Sequence, residues 1–243
     1  MASPATSLTP GLPETGLKVI RSILGGPMLR KWEVYERGQG YVPGEGPVII
    51  AANHAGWLDG PLLFIKAPRE VHTLVKEEEF EGKTATLLKA ISQIRVARNR
   101  VDTGAMRRAA SALTAGQAVG IFPEGTRGDG EFHTIRNGIA YLALVSGAPI
   151  VPLALFGTRE PGASSSSRPP KGARIDMVYG RPFRIAAQPW PRTAEMIDEA
   201  AFEIREHLVA HLTWAKSAVK REMPGPMPGA AEPGATEPKR TAS

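Results

Sequence analysis

The chain has 243 residues, no cysteine, and 30 lysines and arginines against 24 aspartates and glutamates, for a formal net charge of +6. That length suffices for one full hydrophobic core, and neither a second domain nor an internal repeat shows in the sequence. Without cysteine there are no disulfides and no thiol nucleophile, and the positive charge favours anionic partners: nucleic acid, acidic phospholipid surfaces or polyanionic cofactors.

Residues 1–15 read as a disordered N-terminus. Segment 16–31 sets Leu17, Ile20, Ile23, Leu24 and Met28 on one side, with Lys18, Arg21, Arg30 and Lys31 nearby. This is the pattern either of an interfacial helix or of a short terminal helix packed on the domain, and Gly25-Gly26-Pro27 interrupts it in both cases. Pro47 to Ala52 is an apolar, β-branched run behind a Gly/Pro cluster, so it reads as a buried strand. Its C-terminal end delivers Asn53 and His54, the place where open α/β sheets hold their ligands. In a straight helix, positions five apart lie about 140° apart, so His54 and Asp59 meet only across a bend or a helix start. Gly56 supplies the freedom for such a bend.

A neutral imidazole, with a pKa of about 6.5, takes a proton from an alcohol near neutral pH when a carboxylate fixes its tautomer and steadies the imidazolium. No Gly-x-Ser-x-Gly elbow accompanies it, which leaves a covalent serine intermediate without support. The competing reading is a strand-end histidine paired with Asp59 for packing alone.

The chain then alternates. A helix is predicted near 59–66, a strand near 71–75, a helix near 83–91, a strand near 94–97, a helix over 103–115 with Arg107 and Arg108 on its solvated face, and a strand near 118–122. Pro123 stops that strand just before Glu124-Gly125-Thr126-Arg127. Backbone amides in a Gly-containing turn, backed by an arginine fork, suit phosphate or carboxylate oxygens, with Arg127 the natural ligand. Glu124 either orients Arg127 or hydrogen-bonds a substrate hydroxyl; the plainer alternative is a β-turn with an exposed ion pair. A helix near 136–146, a strand over 149–155 and a late strand over 174–179, antiparallel at an edge, follow. Ile197, Ala201, Ile204, Leu208 and Leu212 then form one apolar helical stripe. Such alternation predicts a layered α/β single domain with a largely parallel central sheet flanked by helices.

The Ser164–Ser167 run and the tail over 222–243, rich in Pro, Gly and Ala, read as loop and disorder. No run approaches the ~18 consecutive apolar residues of a spanning helix, and the first residues lack the plan of a secretory signal. The cluster Arg95, Arg98, Arg100, Arg107 and Arg108 has no interleaved aromatics and no accompanying recognition motif, so nucleic acid is set aside as a partner. His207 and His211, with Glu203 before them, have metal-ligand spacing but no third strong ligand, so they read as surface or packing residues and no metal site is expected. His133, past a turn at Asp129-Gly130, is left without a role.

Four strings stand in order: NHAGWLD at 53–59, the basic block Ile94 to Arg100, FPEGTR at 122–127, and Pro149 to Ala154. In kind and order they resemble the motifs of the glycerolipid acyltransferases related to 1-acylglycerol-3-phosphate acyltransferase, over roughly residues 30–185. The resemblance implies an acyltransferase catalytic domain over 32–221. It implies His54 as general base with Asp59 orienting it, and Arg98, Glu124, Gly125, Thr126 and Arg127 around the phosphate of the acceptor. Lys76 falls near the reacting carbonyl, and it and the Gly125 amide are the candidate donors to a tetrahedral oxyanion. The implied reaction moves a fatty acyl group from acyl-CoA or acyl carrier protein to a hydroxyl of a lysophospholipid, foremost 1-acylglycerol-3-phosphate, giving phosphatidic acid. No cofactor beyond the co-substrate is implied, and the enzyme would sit peripherally on an anionic membrane surface, on its cytoplasmic side. Trp57 and Trp32 are then candidates for an acyl groove or lipid contact, with core packing the alternative. Many members carry serine two residues after the histidine, where this chain has Gly56, which bears on acceptor preference. The same site with water as acceptor would be a thioesterase or lipase-like hydrolase, and a silent one a phosphate- or lipid-binding protein.

Overall fold

Every residue of β2 (Val48–Ala52) is buried, as expected of a parallel strand covered by helices on both faces. It lies in the middle of a seven-stranded sheet with the order β1-β7-β6-β2-β5-β3-β4. The other strands are β1 (Glu33–Arg37), β3 (Val71–Lys76), β4 (Ile94–Val96), β5 (Ala118–Ile121), β6 (Ile150–Phe156) and β7 (Arg174–Tyr179). The helices are α1 (Thr15–Leu29), α2 (Asp59–Lys66), α3 (Ala85–Ala90), α4 (Thr103–Thr114), α5 (Gly138–Ser146) and α6 (Ala194–Val219). These come from a computed structural model that describes residues 11–81, 85–97 and 102–229.

The two faces of the sheet are read directly from the alternation of side chains along β2. Ile49 and Ala51 pack with α4, α5 and α6, where Ala105, Ala109 and Ala112 let α4 lie close to the sheet. Val48, Ile50 and Ala52 face the other way, toward Leu58, Leu62, Leu63 and Ile65 around α2 and Leu29 of α1. Three layers result, helices over sheet over helices, which is the fold class the alternating pattern predicts.

Two expectations are corrected at one end of the sheet. β7 is antiparallel to β6, as foreseen, but it is not an edge: β1 pairs with it in parallel register, Tyr35 opposite Asp176. No strand was expected at Glu33–Arg37, because its sequence, EVYER, carries three charges in five residues and buries neither face. Charge is how an exposed edge strand avoids pairing with a second chain, and it also hides the strand from a search for apolar runs. The break expected at Gly25-Gly26-Pro27 is absent as well, since α1 continues through Pro27 to Leu29. Gly16 of α1 approaches the Ala90 carbonyl of α3 so closely that a Cβ would sit 2.1 Å from it, and Gly25 faces Ile65 of α2. α1 thus packs on the domain while Val19 (52% exposed) and Ile23 (63%) stay outside. Among the described residues no helix is long and apolar enough to cross a membrane.

The chain after α6, expected to begin a disordered tail at 222, instead returns across the body through residue 229. Met223 is 8% exposed and belongs to the main core.

Candidate active site

Because β2 and β5 are adjacent and parallel, with Ala51 opposite Ile121, the segments leaving their carboxyl ends emerge side by side. This brings the 53–59 and 122–127 strings together. The His54 amide donates to Glu124 Oε1 at 2.8 Å, and the His54 carbonyl accepts from the Gly128 amide at 2.8 Å. The loop after β5 therefore grips the histidine backbone on both sides.

The imidazole is held separately. Asp59 is the first residue of α2, and its Oδ2 accepts from His54 Nδ1, the Ala55 amide and the Gly56 amide, each at 2.8 Å. A carboxylate at a helix N-terminus also meets the positive end of the helix dipole. With Nδ1 donating to a carboxylate, Nε2 is the nitrogen left with its lone pair. Phe122 stacks on the ring at 4.1 Å between centroids, tilted by 22°, and His54 is 6% exposed. The pairing across a helix start expected from the five-residue spacing is what the structure contains.

Gly56 occupies its place for a steric reason. A Cβ there would stand 2.4 Å from the Thr158 carbonyl oxygen and 2.8 Å from its carbon. Gly56→Ser is therefore expected to push the turn off the end of β6, destabilising the fold by about 1–3 kcal/mol as overpacking does. Thermal denaturation checks this; an unchanged midpoint with unchanged activity would mean the loop opens freely for a side chain.

Glu124 is not placed to orient Arg127 by any contact among the described residues; its first partner is the histidine backbone. Its Oε1 accepts from the His54 amide, and the residue is only partly buried. Burial raises its pKa to about 8, against the opposing pull of the His54 amide, with further upward pushes from Asp129, Asp59 and Glu131. At neutral pH it is largely the uncharged acid. Gly125, at φ +74°, makes the turn it was expected to make. Its amide, however, donates to the Phe122 carbonyl at 2.9 Å and so is no longer a candidate oxyanion donor. Lys76 Nζ and Arg127 Nη2 converge on Glu79 Oε1, at 3.6 and 3.8 Å. Thr126 is exposed beside them. Arg98 lies outside the described residues.

Lys76, Glu79, Thr126, Arg127 and His54 are among the polar residues that line a cavity of 390 Å³. The remaining wall is mostly apolar, with Met28 of α1, Trp57, Phe64 and Ile65 of α2, and Leu87, Leu88 and Ile91 from around α3. Trp57 serves both alternatives open to it: it packs on the core and lines this cavity. Trp32 donates to the Pro169 carbonyl at 3.0 Å, away from the site.

Two positioning residues escaped the sequence reading as functional. Asn53 pairs like an extra residue of strand, its Nδ2 donating to the Leu155 carbonyl at 3.1 Å and its Oδ1 accepting from the Leu155 amide at 2.7 Å. It fixes the strand end from which His54 projects. Arg159, 2% exposed, donates to the Ala55 and Ala163 carbonyls at 2.9 Å, to Gly128 at 3.1 Å and to Gly225 at 2.5 Å. It ties the turn after His54 to the loop after β5. His207 and His211 are packing residues: His207 stacks on Phe183 at 4.2 Å, and the His211 ring meets the Val178 carbonyl at 2.9 Å. His133 pairs with Asp129 at 2.9 Å on the surface.

A family model described as Acyltransferase matches residues 33–156. The chain is 31% identical over 172 residues to the 1-acyl-sn-glycerol-3-phosphate acyltransferase of Bacillus subtilis (strain 168), covering 70% of this chain and 80% of that protein. It is 30% identical over 130 residues to the protein of the same name from Borreliella burgdorferi, covering half of each. The crystal structure of the 1-acyl-sn-glycerophosphate acyltransferase PlsC from Thermotoga maritima shares the fold, with a TM-score of 0.58 at 20% identity over 81% of this chain and 79% of that one. With that match spanning half the chain, and a relative at this identity covered over four-fifths of its length, the chain belongs to the acyltransferase family.

Proposed function

We propose that the protein transfers a fatty acyl group from a thioester, on coenzyme A or acyl carrier protein, to the free hydroxyl of 1-acylglycerol-3-phosphate, giving phosphatidic acid. One observation carries this reading: an Asp59-oriented His54 lines a mostly apolar cavity that Lys76 and Arg127 also line. An apolar cavity with a few convergent polar groups suits a ligand with a long hydrocarbon part and one reactive end.

In the proposed mechanism His54 Nε2 takes the proton of the acceptor hydroxyl as its oxygen attacks the thioester carbonyl. Lys76 balances the oxyanion that forms. Collapse breaks the carbon–sulfur bond, and the thiolate leaves with the proton returned from the imidazolium. Arg127, together with Arg98 from the basic block, grips the phosphate and so holds the hydroxyl against the imidazole. Glu79 holds Lys76 and Arg127 near one another in the absence of an anion. The protein is proposed to work on an anionic bilayer, with the exposed Val19 and Ile23 of α1 toward the lipid and Met28 of the same helix in the cavity wall.

The test is incubation of the purified protein with labelled acyl-CoA, or labelled acyl carrier protein, and a panel of lysolipids. Labelled phosphatidic acid is the expected product. Free fatty acid without acylated acceptor would make the protein a hydrolase instead. Arg127→Ala is expected to raise KM for lysophosphatidate by roughly tenfold to a hundredfold, the worth of a charge-assisted hydrogen bond, while leaving KM for an uncharged monoacylglycerol nearly unmoved. Equal effects on both acceptors would remove Arg127 from the phosphate site.

A further inference from the structure

The segment that follows α6 lies outside the matched residues 33–156, yet it reaches the site. Arg221 starts it by donating to the Arg174 carbonyl at 2.6 Å and to Asp176 at 3.3 Å. Met223 then enters the core, its sulfur 3.8 Å from Asn53 Nδ2 and its methyl 2.6 Å from where a Cβ of Gly130 would stand. Two residues on, the Gly225 carbonyl accepts from Arg159, the same guanidinium that holds Ala55 and Gly128. Met227 follows and lines the cavity that contains His54. Pro224, Pro226 and Pro228 alternate with these contacts, and each fixes one φ, so the path is stiff for its length.

We propose that residues 221–227 form a strap that walls the acyl-donor site, that Arg159 fastens it, and that Met227 sets the fit of the acyl group. This inference rests on the acyl-transfer reading for its substrate but concerns a separate element. A thioether side chain is flexible and polarizable, suited to closing on an apolar chain without demanding one shape. The strap and the catalytic turn share one guanidinium, so the wall is set in register with His54: a shift of Gly225 is felt at Ala55, the residue after the base. Arg159 acts here as a positioning residue through backbone carbonyls.

The experiment compares the wild type, Met227→Trp, Met227→Ala and Arg159→Lys in the full-length chain. Two readouts are taken: KM and kcat across acyl-CoA donors of increasing length, and calorimetric affinity for free laurate and palmitate. Met227→Trp is expected to raise KM for the preferred donor by about tenfold, more than it lowers kcat, a change in line with the 10- to 200-fold worth of small volume changes in an apolar pocket. Met227→Ala should spread the profile to donors the wild type accepts poorly. Arg159→Lys keeps the charge but loses the fork whose Nε reaches Ala55 while its Nη2 reaches Gly128 and Gly225, and is expected to spread the profile in the same direction. Active wild type with an unchanged donor profile and unchanged fatty-acid affinity in both Met227 variants would overturn the strap while leaving acyl transfer intact. An inactive wild type whose affinity for laurate still falls in Met227→Trp would overturn the acyl-transfer reading and keep the wall; an inactive wild type with unmoved affinity would overturn both.

Discussion

His54→Ala is expected to abolish measurable acyl transfer, lowering kcat by at least about 10³- to 10⁴-fold, the upper range for loss of a positioned general base. The protein should nevertheless stay folded. The hydrogen bonds that hold this position to the loop after β5 are made by its backbone, the amide to Glu124 and the carbonyl to Gly128, and alanine keeps both while losing the stack on Phe122. Asp59 would also keep two of its three hydrogen-bond donors, the amides of Ala55 and Gly56. The substitution thus separates chemistry from architecture. Measured by product labelling, with a melting curve alongside, more than about a tenth of wild-type turnover in a folded variant would sink the general-base role, because a bystander histidine is worth little to the barrier.

Asp59→Asn is expected to be nearly as damaging, by about 10² to 10⁴ in kcat. A single carboxylate oxygen receives the imidazole and two amides. An asparagine oxygen turned toward the amides keeps the turn but carries no charge to match an imidazolium. Turned the other way, its NH₂ opposes the two amide donors and frees the ring to rotate. Either orientation loses the transition-state charge balance. A second effect follows at Glu124, whose pKa Asp59 helps to raise. Removing that negative charge lowers it, so the carboxyl beside the His54 amide ionises at lower pH in the variant. Carboxyl stretching bands followed by infrared spectroscopy across pH 5–9 would detect that shift, and a kcat within threefold of wild type would remove Asp59 from the mechanism.

The strands and helices that frame the site were legible because each is a local pattern. β2 is a short apolar run behind Gly46-Pro47 and β5 one stopped by Pro123, and the histidine and FPEGTR strings sit at their carboxyl ends. Their meeting was inferable from the rule that parallel strands present ligands at their carboxyl ends. β1 was not legible, since an edge strand owes its state to a partner, β7, that lies more than a hundred residues away. Arg159 was illegible for a related reason. Three of its four acceptors are backbone carbonyls 104, 31 and 66 positions distant, and a carbonyl leaves no mark in a sequence. Glu124 and Gly125 lie in the turn where the sequence puts them, but their hydrogen-bond partners were not legible. Composition tells which groups a turn contains, whereas which of them the turn itself consumes depends on how it closes: here the Gly125 amide closes onto Phe122 and the Glu124 carboxyl onto His54.

The grip on the histidine backbone has a consequence for the order in which the molecule becomes competent. β5 enters the sheet between β2 and β3, so the partners of His54 arrive only after a strand inserts between two that precede it in the chain. Until then imidazole and carboxylate are near neighbours along the polypeptide but lack the frame that aims them. A nascent or partly refolded chain is accordingly expected to be inactive, and recovery of turnover after dilution from denaturant should lag behind the return of helical signal.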